Sequence, residues 1–225
     1  MSRQEYQRQL EQLRTDVIDM SELVIERFDL SISAYESGDI AQAERVIEGD
    51  HEINELYLTL EDECIGLLAL QQPVAGDLRF IAASFKIITD LERIADLATN
   101  LARYGTYDVE PVLPFDAVKG LSLTARSMVI DAMDAYETED GGATRQIAAI
   151  DDDLDEACQT ISEEVIRELL QNDPGEYDQQ TTEAKLADVK RSLLTIRDIE
   201  RIGDHAVNIA ARTLYMIEND DELIY

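Results

Sequence analysis

Two acidic pairs with the same spacing are the residues of this sequence best suited to chemistry. Glu92 is followed four positions later by Asp96, and the arrangement recurs as Glu200 and Asp204. This spacing puts both carboxylates on one face of a helix, where oxygen ligands favour Mg, Mn or Fe over a structural zinc. Because 49 of the 225 residues are Asp or Glu, one such pair would mean little. The recurrence of the pair is what predicts a metal site.

The apolar residues around the first pair predict where a metal would lie. Ile87, Leu91 and Ile94 form an apolar stripe on one helix, and at about 100° per residue Glu92 and Asp96 point away from it. A metal would therefore sit on the outside of a helical bundle, between neighbouring helices. Acids on the flanks of the preceding helices are expected to complete the two sites: Asp50, Asp151 and Asp155.

A second interpretation needs no metal. Arg93 and Arg201 lie three positions before Asp96 and Asp204, within reach of an ion pair on a helix surface. The acids would then form an ordinary salt-bridged exterior, which contributes little to stability. Both interpretations stay open at this point.

The helices that must position these residues repeat. Apolar residues recur at spacings of three and four throughout the chain, which predicts an all-α protein. A shift of 101 residues places Asp50 on Asp151 and Ile65 on Ile166, and a shift of 108 aligns residues 90–102 with 198–210, with eight identities in thirteen. The shift changes only at a loop near Asp173, as expected of a duplicated unit. We predict two tandem three-helix bundles, residues 1–108 and 109–225.

Composition excludes several classes of function. A net charge of −30 with no basic patch argues against direct binding of nucleic acid, and it resembles the surface of a halophile's protein. The sequence shows neither a signal peptide nor an apolar run long enough to cross a membrane, so we expect a cytoplasmic protein. Cys64 and Cys158 fall on apolar stripes and are predicted to be buried thiols.

The chain resembles the PhoU family of phosphate-transport regulators over essentially its whole length. The segment QQPVAGDLR at 71–79 is similar to that family's opening of the third helix, and DLERIADLATNLA and DIERIGDHAVNIA are similar to its two metal-motif helices. The resemblance implies a cytoplasmic adapter for the ATPase of the phosphate ABC transporter, and in bacteria for a sensor histidine kinase. It also implies a homodimer and surface sites for iron, zinc or other metals. The residues carried over as metal ligands are Glu92, Asp96, Glu200 and Asp204, with Asp50, Asp151 and Asp155 as partners.

The first half departs from the family pattern. Ala95 and Leu97 stand where the second half has Gly203 and His205, and Asn54 replaces an expected acid. Because a neutral amide is a weaker ligand than a carboxylate, a weaker metal site is expected in the first half. His205 lies off the carboxylate row and is expected to pack or to face solvent.

Two other classes of function compete with the adapter. A metal-dependent phosphatase or other hydrolase could use the same carboxylates to activate water. Against it, the sequence shows no general base beyond the ligands and no loop long enough for a lid. A DNA-binding regulator is the third class, and we expect no room for its extra domain after the sixth helix.

Overall fold

The computed structural model describes residues 3–70, 73–106, 112–171, 179–220 and 222–223, and in these residues it contains six helices and no strand. The side chains of Leu70, Gln179 and Gln180 are outside this description. The helices are α1 (Arg3–Ser37), α2 (Ile40–Leu70), α3 (Ala75–Tyr104), α4 (Phe115–Thr138), α5 (Gly141–Gln171) and α6 (Gln179–Glu218).

The turn after the first helix of each half shows how the chain ends one helix and starts the next. Gly38 adopts a left-handed conformation with φ of 63°, and the Asp39 carboxylate then accepts a hydrogen bond from the backbone N–H of Gln42 at 3.1 Å. In the second half Glu139 takes the left-handed position with φ of 55°, and Asp140 accepts the hydrogen bond from Gly142 at 2.8 Å. Helix α1 therefore ends at Ser37.

The amphipathic stripe of α1 supplies one wall of the core. Its apolar residues recur at spacings of three and four, and each is at most 7% exposed. Burying a side chain of this size contributes roughly 1.5–3 kcal/mol relative to leaving it in water. The predicted stripe is confirmed as Leu10, Leu13, Val17, Met20, Val24 and Phe28.

The helices form two layers. In the larger layer α2 packs on α3, α3 on α6, and α6 on α5, so that α2 and α5 are the outer helices. In the smaller layer α1 packs across α2 and α3, α4 packs across α5 and α6, and α1 contacts α4. Each half is thus a three-helix bundle, and the prediction of two tandem bundles is confirmed.

The two bundles share one continuous hydrophobic core, which extends from Tyr6 to Met216. Where α3 meets α6, polar side chains link the two halves. Nδ1 of His205 lies 2.9 Å from Oδ1 of Asp90, and the hydroxyl of Tyr104 donates to Oδ2 of the fully buried Asp198 at 2.9 Å. Asp90 and Asp198 are equivalent positions of the repeat. The two halves are therefore fixed against each other by apolar contact and by specific hydrogen bonds.

Other sequence predictions can be placed on this fold. Cys64 and Cys158 are both buried free thiols. The predicted boundary between residues 108 and 109 lies outside the described residues and stays a prediction, and so does most of the loop near Asp173. Within the described residues, no helix contains an apolar stretch long enough to cross a membrane.

Candidate metal site

Three carboxylates converge between α5 and α6. Asp151 and Asp155 lie one turn apart on α5, and Asp204 faces them from α6. One oxygen of each residue lies within 4.8 Å of the other two. We call these three residues the α5–α6 cluster. The structure thus brings Asp204 together with Asp151 and Asp155, while Glu200, the other acid of the predicted pair, lies one turn before Asp204 and is not one of the three.

Burial, and then repulsion between carboxylates, disfavours the ionised forms of Asp151, Asp155 and Glu200. Burial, followed by the charges of Asp155 and Asp204, raises the pKa of the Asp151 carboxyl to about 7. Burial and the charge of Asp204 also raise the pKa of Asp155, and burial together with Asp155 and Asp204 raises the pKa of Glu200. The energy of these like charges would fall if a cation bound among them.

Within the described residues, neighbouring side chains do not compensate the negative charge of the cluster. Oδ1 of Asp151 is buried and has no hydrogen-bond partner. Within the described parts of the chain, no arginine, lysine or histidine forms an ion pair with Asp151, Asp155, Asp204 or Glu200. A buried acceptor and convergent carboxylates are the donor set that a hard divalent cation requires. The residues present fit such an ion.

Gly203 allows α6 to approach α5 closely at this point. A Cβ atom at position 203 would lie 2.6 Å from Cδ2 of Leu154 and 3.0 Å from Oδ1 of Asp151. Real Cβ atoms essentially never make a contact of 2.6 Å, so a larger residue would require the Leu154 side chain or the helices to shift. The glycine therefore helps to bring Asp204 and Asp151 together.

The equivalent carboxylates of the first half are satisfied by neighbouring side chains. Asp50 on α2 accepts a hydrogen bond from the Asn54 amide at 3.1 Å and another from the Thr99 hydroxyl of α3 at 3.2 Å. Both oxygens of Asp50 thus have partners. We call Asp50, Glu92 and Asp96 the α2–α3 cluster.

An arginine neutralises part of the α2–α3 cluster. Arg93 places Nε 3.4 Å from Glu92 and Nη1 3.3 Å from Asp96. Burial, and then the charge of Asp96, raises the pKa of Glu92, and the arginine opposes that rise. Burial and the charge of Asp50 raise the pKa of Asp96, and Arg93 again opposes it. The salt-bridged interpretation therefore describes the first half.

Small sequence differences account for the contrast between the clusters. Asn54 of the first half corresponds to Asp155, and Thr99 corresponds to Val207, so Asp151 loses both of the donors that serve Asp50. The sequence predicted Asn54 to be a weaker metal ligand than an acid, but it did not predict its hydrogen bond to Asp50. Nor did it predict the hydrogen bond from Thr99, because that contact crosses between two helices. Arg201, which corresponds to Arg93, forms no ion pair within the described residues.

Both clusters face the same side of the molecule. Since α1 and α4 cover one side of the α2–α3–α6–α5 layer, the partly exposed carboxylates lie on its open side. This agrees with the outer face that the helical periodicity predicted. His205 lies between the clusters, on Asp90 of α3, and not within either one.

Comparison with known proteins was made for the whole chain. The family model described as "PhoU domain" matches it twice, over residues 17–105 and 118–213. Over 221 residues the chain is 30% identical to a phosphate-specific transport system accessory protein PhoU homolog of Pseudomonas putida, covering 97% of this chain and 82% of that protein. It is also 30% identical to a PhoU homolog of Methanothermobacter thermautotrophicus, covering 94% of each.

The fold is also similar to solved structures. The crystal structure of PhoU from Pseudomonas aeruginosa superposes with a TM-score of 0.87 and 28% identity, covering 96% of this chain and 100% of that one. A phosphate transport system regulatory protein PhoU from Streptococcus pneumoniae superposes with a TM-score of 0.83 at 24% identity. At 24% identity, the second similarity supports the fold only.

Proposed function

Because the chain belongs to the PhoU family, we propose that it is a cytoplasmic accessory protein that regulates phosphate transport by acting on the ATPase of a phosphate ABC transporter. The observation that carries the proposal is the match of both halves to the PhoU domain, together with relatives named as accessory proteins of phosphate-specific transport over nearly the whole chain. Two layers of long helices with a broad open side suit contact with another protein. The adapter needs no catalytic step of its own.

The α5–α6 cluster holds one divalent metal ion in this proposal. Asp151, Asp155 and Asp204 supply the oxygen ligands, with Glu200 beside them. When bound, the ion neutralises the clustered carboxylates and ties α5 to α6. Support comes from the unpartnered buried oxygen of Asp151 and from the close helix approach at Gly203. The oxygen donors favour Mg, Mn or Fe over Zn.

The α2–α3 cluster binds metal more weakly, or not at all, at the same concentration. The oxygens of Asp50 already accept hydrogen bonds from Asn54 and Thr99, and Arg93 already pairs with the other two carboxylates. A metal would have to displace these partners, and that displacement costs free energy. Metal binding at the α5–α6 cluster does not require such a displacement. We therefore expect a first equivalent of metal to go to the second half.

Capture of the partner from cells tests the adapter. Tagged protein is isolated from phosphate-replete and phosphate-starved cells in molar KCl, and the captured proteins are identified by mass spectrometry. We expect the transporter ATPase to be enriched from replete cells and reduced after starvation. Absence of the ATPase from both cultures would contradict the proposed partner, and capture of a sensor histidine kinase or of an untagged second copy would identify the other partners that the family resemblance implies.

A matched pair of charge reversals tests whether the metal face takes part. Asp155→Lys changes an exposed member of the α5–α6 cluster, and Asp153→Lys changes an exposed acid of the same helix outside it. We expect Asp155→Lys to lower both metal content and ATPase capture, and Asp153→Lys to lower neither. Equal capture by the two variants would remove the metal face from partner binding.

One observation favours the hydrolase alternative enough to test it. Glu200 lies beside the proposed ligands Asp155 and Asp204, where its carboxylate could accept a proton from a water held by a metal ion. Steady turnover of a phosphate ester by the purified protein with Mn, Mg or Fe, abolished by Glu200→Gln, would support an enzyme. No turnover above that of Glu200→Gln would leave the adapter as the function.

A further inference from the structure

The outer helices expose large apolar side chains near their C-terminal ends. On α2, Ile65 is 51% exposed and Leu68 is 39% exposed. On α5, Ile166 is 44% exposed and Leu170 is 77% exposed. The residues of each pair are three or four positions apart, so each pair covers one face of its helix. Isolated exposed leucines are ordinary, but paired ones on one helix face indicate a contact surface.

The internal repeat puts these faces at equivalent positions. Ile65 corresponds to Ile166 under the shift of 101 residues, and the exposed acids that precede them, Asp62 and Glu163, also correspond. The main packing partners of α2 are α1 and α3, and those of α5 are α4 and α6. An exposed isoleucine preceded by an exposed acid therefore occurs at the equivalent position of each half, and the second exposed leucine lies one position later in α5 than in α2.

Charge decides what kind of molecule fits these faces. Residues 55–70 of α2 contain four acids and no cation, and residues 160–171 of α5 contain three acids and Arg167. A second copy of this chain would bring the same acidic surroundings, and an anionic lipid surface would be repelled by a chain of net charge −30. An apolar face flanked by carboxylates complements an apolar face flanked by lysine and arginine.

We infer that the C-terminal ends of α2 and α5 are two equivalent docking faces, centred on Ile65 and Ile166, each of which binds an amphipathic helix with basic flanks from a protein partner. Two such faces let one chain engage two copies of the same element. The inference rests on the proposed function only for the identity of that partner, the transporter ATPase. The more acidic face, on α2, depends more strongly on salt concentration.

Peptide binding tests the docking faces without the partner. The probe is a synthetic helix of about 18 residues with leucine on one face and lysine on the other, and its control carries glutamate in place of lysine. The variants are Ile65→Ser, Ile166→Ser and the double variant, and Leu123→Ser is the matched control because Leu123 of α4 is 57% exposed. Circular dichroism melts first test the folding of all four variants, which is expected to be retained because the altered side chains lie at the surface.

Calorimetry then gives the number of peptide sites. We expect two sites in the original chain and in Leu123→Ser, one in each single variant, and at least tenfold weaker binding in the double variant. The glutamate peptide is expected not to bind, and the α2 site is expected to lose more affinity between about 0.1 and 1 M KCl. Unchanged binding by the double variant, or an equal loss in Leu123→Ser, would overturn the docking faces.

Binding of the purified ATPase tests the docking faces and the proposed function separately. Loss of ATPase binding in the double variant, with binding retained in Leu123→Ser, supports the assignment. Equal ATPase binding by the original chain and the double variant would overturn the assignment and leave the proposed function intact. Failure of the original chain to bind the ATPase, with peptide sites that depend on Ile65 and Ile166, would overturn the proposed function and leave the docking faces.

Discussion

The two carboxylate clusters descend from the same sequence unit, yet they handle their charge in opposite ways. In the α2–α3 cluster, Asn54 and Thr99 donate hydrogen bonds to Asp50. Arg93 forms ion pairs with the other two acids of that cluster. In the α5–α6 cluster the acids face one another, and one buried oxygen of Asp151 has no partner. An acidic pair at i and i+4 thus does not define a site by itself. The donors around the acids, from the same helix and from its neighbour, decide whether the carboxylates are paired within the protein.

The largest expected effect is on metal affinity. Asp204→Asn should weaken Mn binding by about 100-fold, because it removes a charged ligand from a set of three. Asp96→Asn should change the affinity less than about threefold, because Asp96 already pairs with Arg93. Isothermal titration with MnCl2 measures both. Equal losses in the two variants would show that the clusters are equivalent after all.

The steric difference between the halves gives the next effect. Gly203→Ala should lower the free energy of unfolding by about 1–3 kcal/mol, because the new Cβ would lie 2.6 Å from Leu154. The equivalent residue of the first half is already Ala95, which is buried there. Chemical denaturation measures the change, with Gly66→Ala as a control, since a Cβ at that position meets nothing within 4 Å. A fully stable Gly203→Ala would contradict the role of the close helix approach.

Neutralising the equivalent aspartates, Asp151 and Asp50, should change stability in opposite directions in metal-free protein. The pKa of Asp151 rises from 3.8 to about 7 on folding, so the folded state holds the extra proton within that window. Stability is therefore lost as the pH rises from 3.8 to about 7, and Asp151→Asn should raise Tm more at pH 8 than at pH 5. Asp50→Asn should instead lower Tm at pH 8, because Thr99 and Asn54 lose a charged acceptor.

Thermal melts of both variants with EDTA at the two pH values decide this prediction. If Asp151→Asn lowers Tm at pH 8 as much as Asp50→Asn does, the charge of Asp151 is compensated within the protein. That result would contradict the contrast between the clusters.

The smallest expected effect concerns the turns. Gly38→Ala should lower the free energy of unfolding by about 1 kcal/mol, because a φ of 63° is unfavourable for a residue that has a Cβ atom. The new Cβ would meet nothing within 4 Å, so no steric clash adds to this cost. Glu139→Gly should change stability by less than about 1 kcal/mol, since relief at φ of 55° is offset by loss of the ion pair with Arg14. Urea denaturation of both variants provides the test. A large loss in Glu139→Gly would show that the ion pair matters more than the backbone conformation.

Sequence periodicity was enough to predict the helices, because their signals are local. Helix α1 ends at Ser37, just before Gly38, and helix α2 ends at Leu70, just before the pair Gln72-Pro73. The duplication follows from the alignment of the two halves of the sequence. The acids of the α5–α6 cluster were also predicted, since spacing on one helix and a repeat on another constrain them. These predictions needed no knowledge of how the helices pack.

What could not be predicted depends on contacts between helices. The hydrogen bond from Thr99 to Asp50 joins α3 to α2, and the contact of His205 with Asp90 joins α6 to α3. Neither pair has a characteristic spacing, because the partners are far apart in sequence and their distance depends on helix rotation and register. His205 was expected to pack or to face solvent, and its carboxylate partner gave no signal in the sequence.

The continuous core between α3 and α6 has a consequence for the origin of this architecture. A single ancestral three-helix unit would have exposed the apolar face that α3 now buries against α6, so it would have been stable chiefly as a pair of identical chains. Fusing two copies replaced a bimolecular encounter by an intramolecular one with a high effective concentration. Fusion also lets the two copies diverge within one molecule, so that one half has Asn54 and the other Asp155.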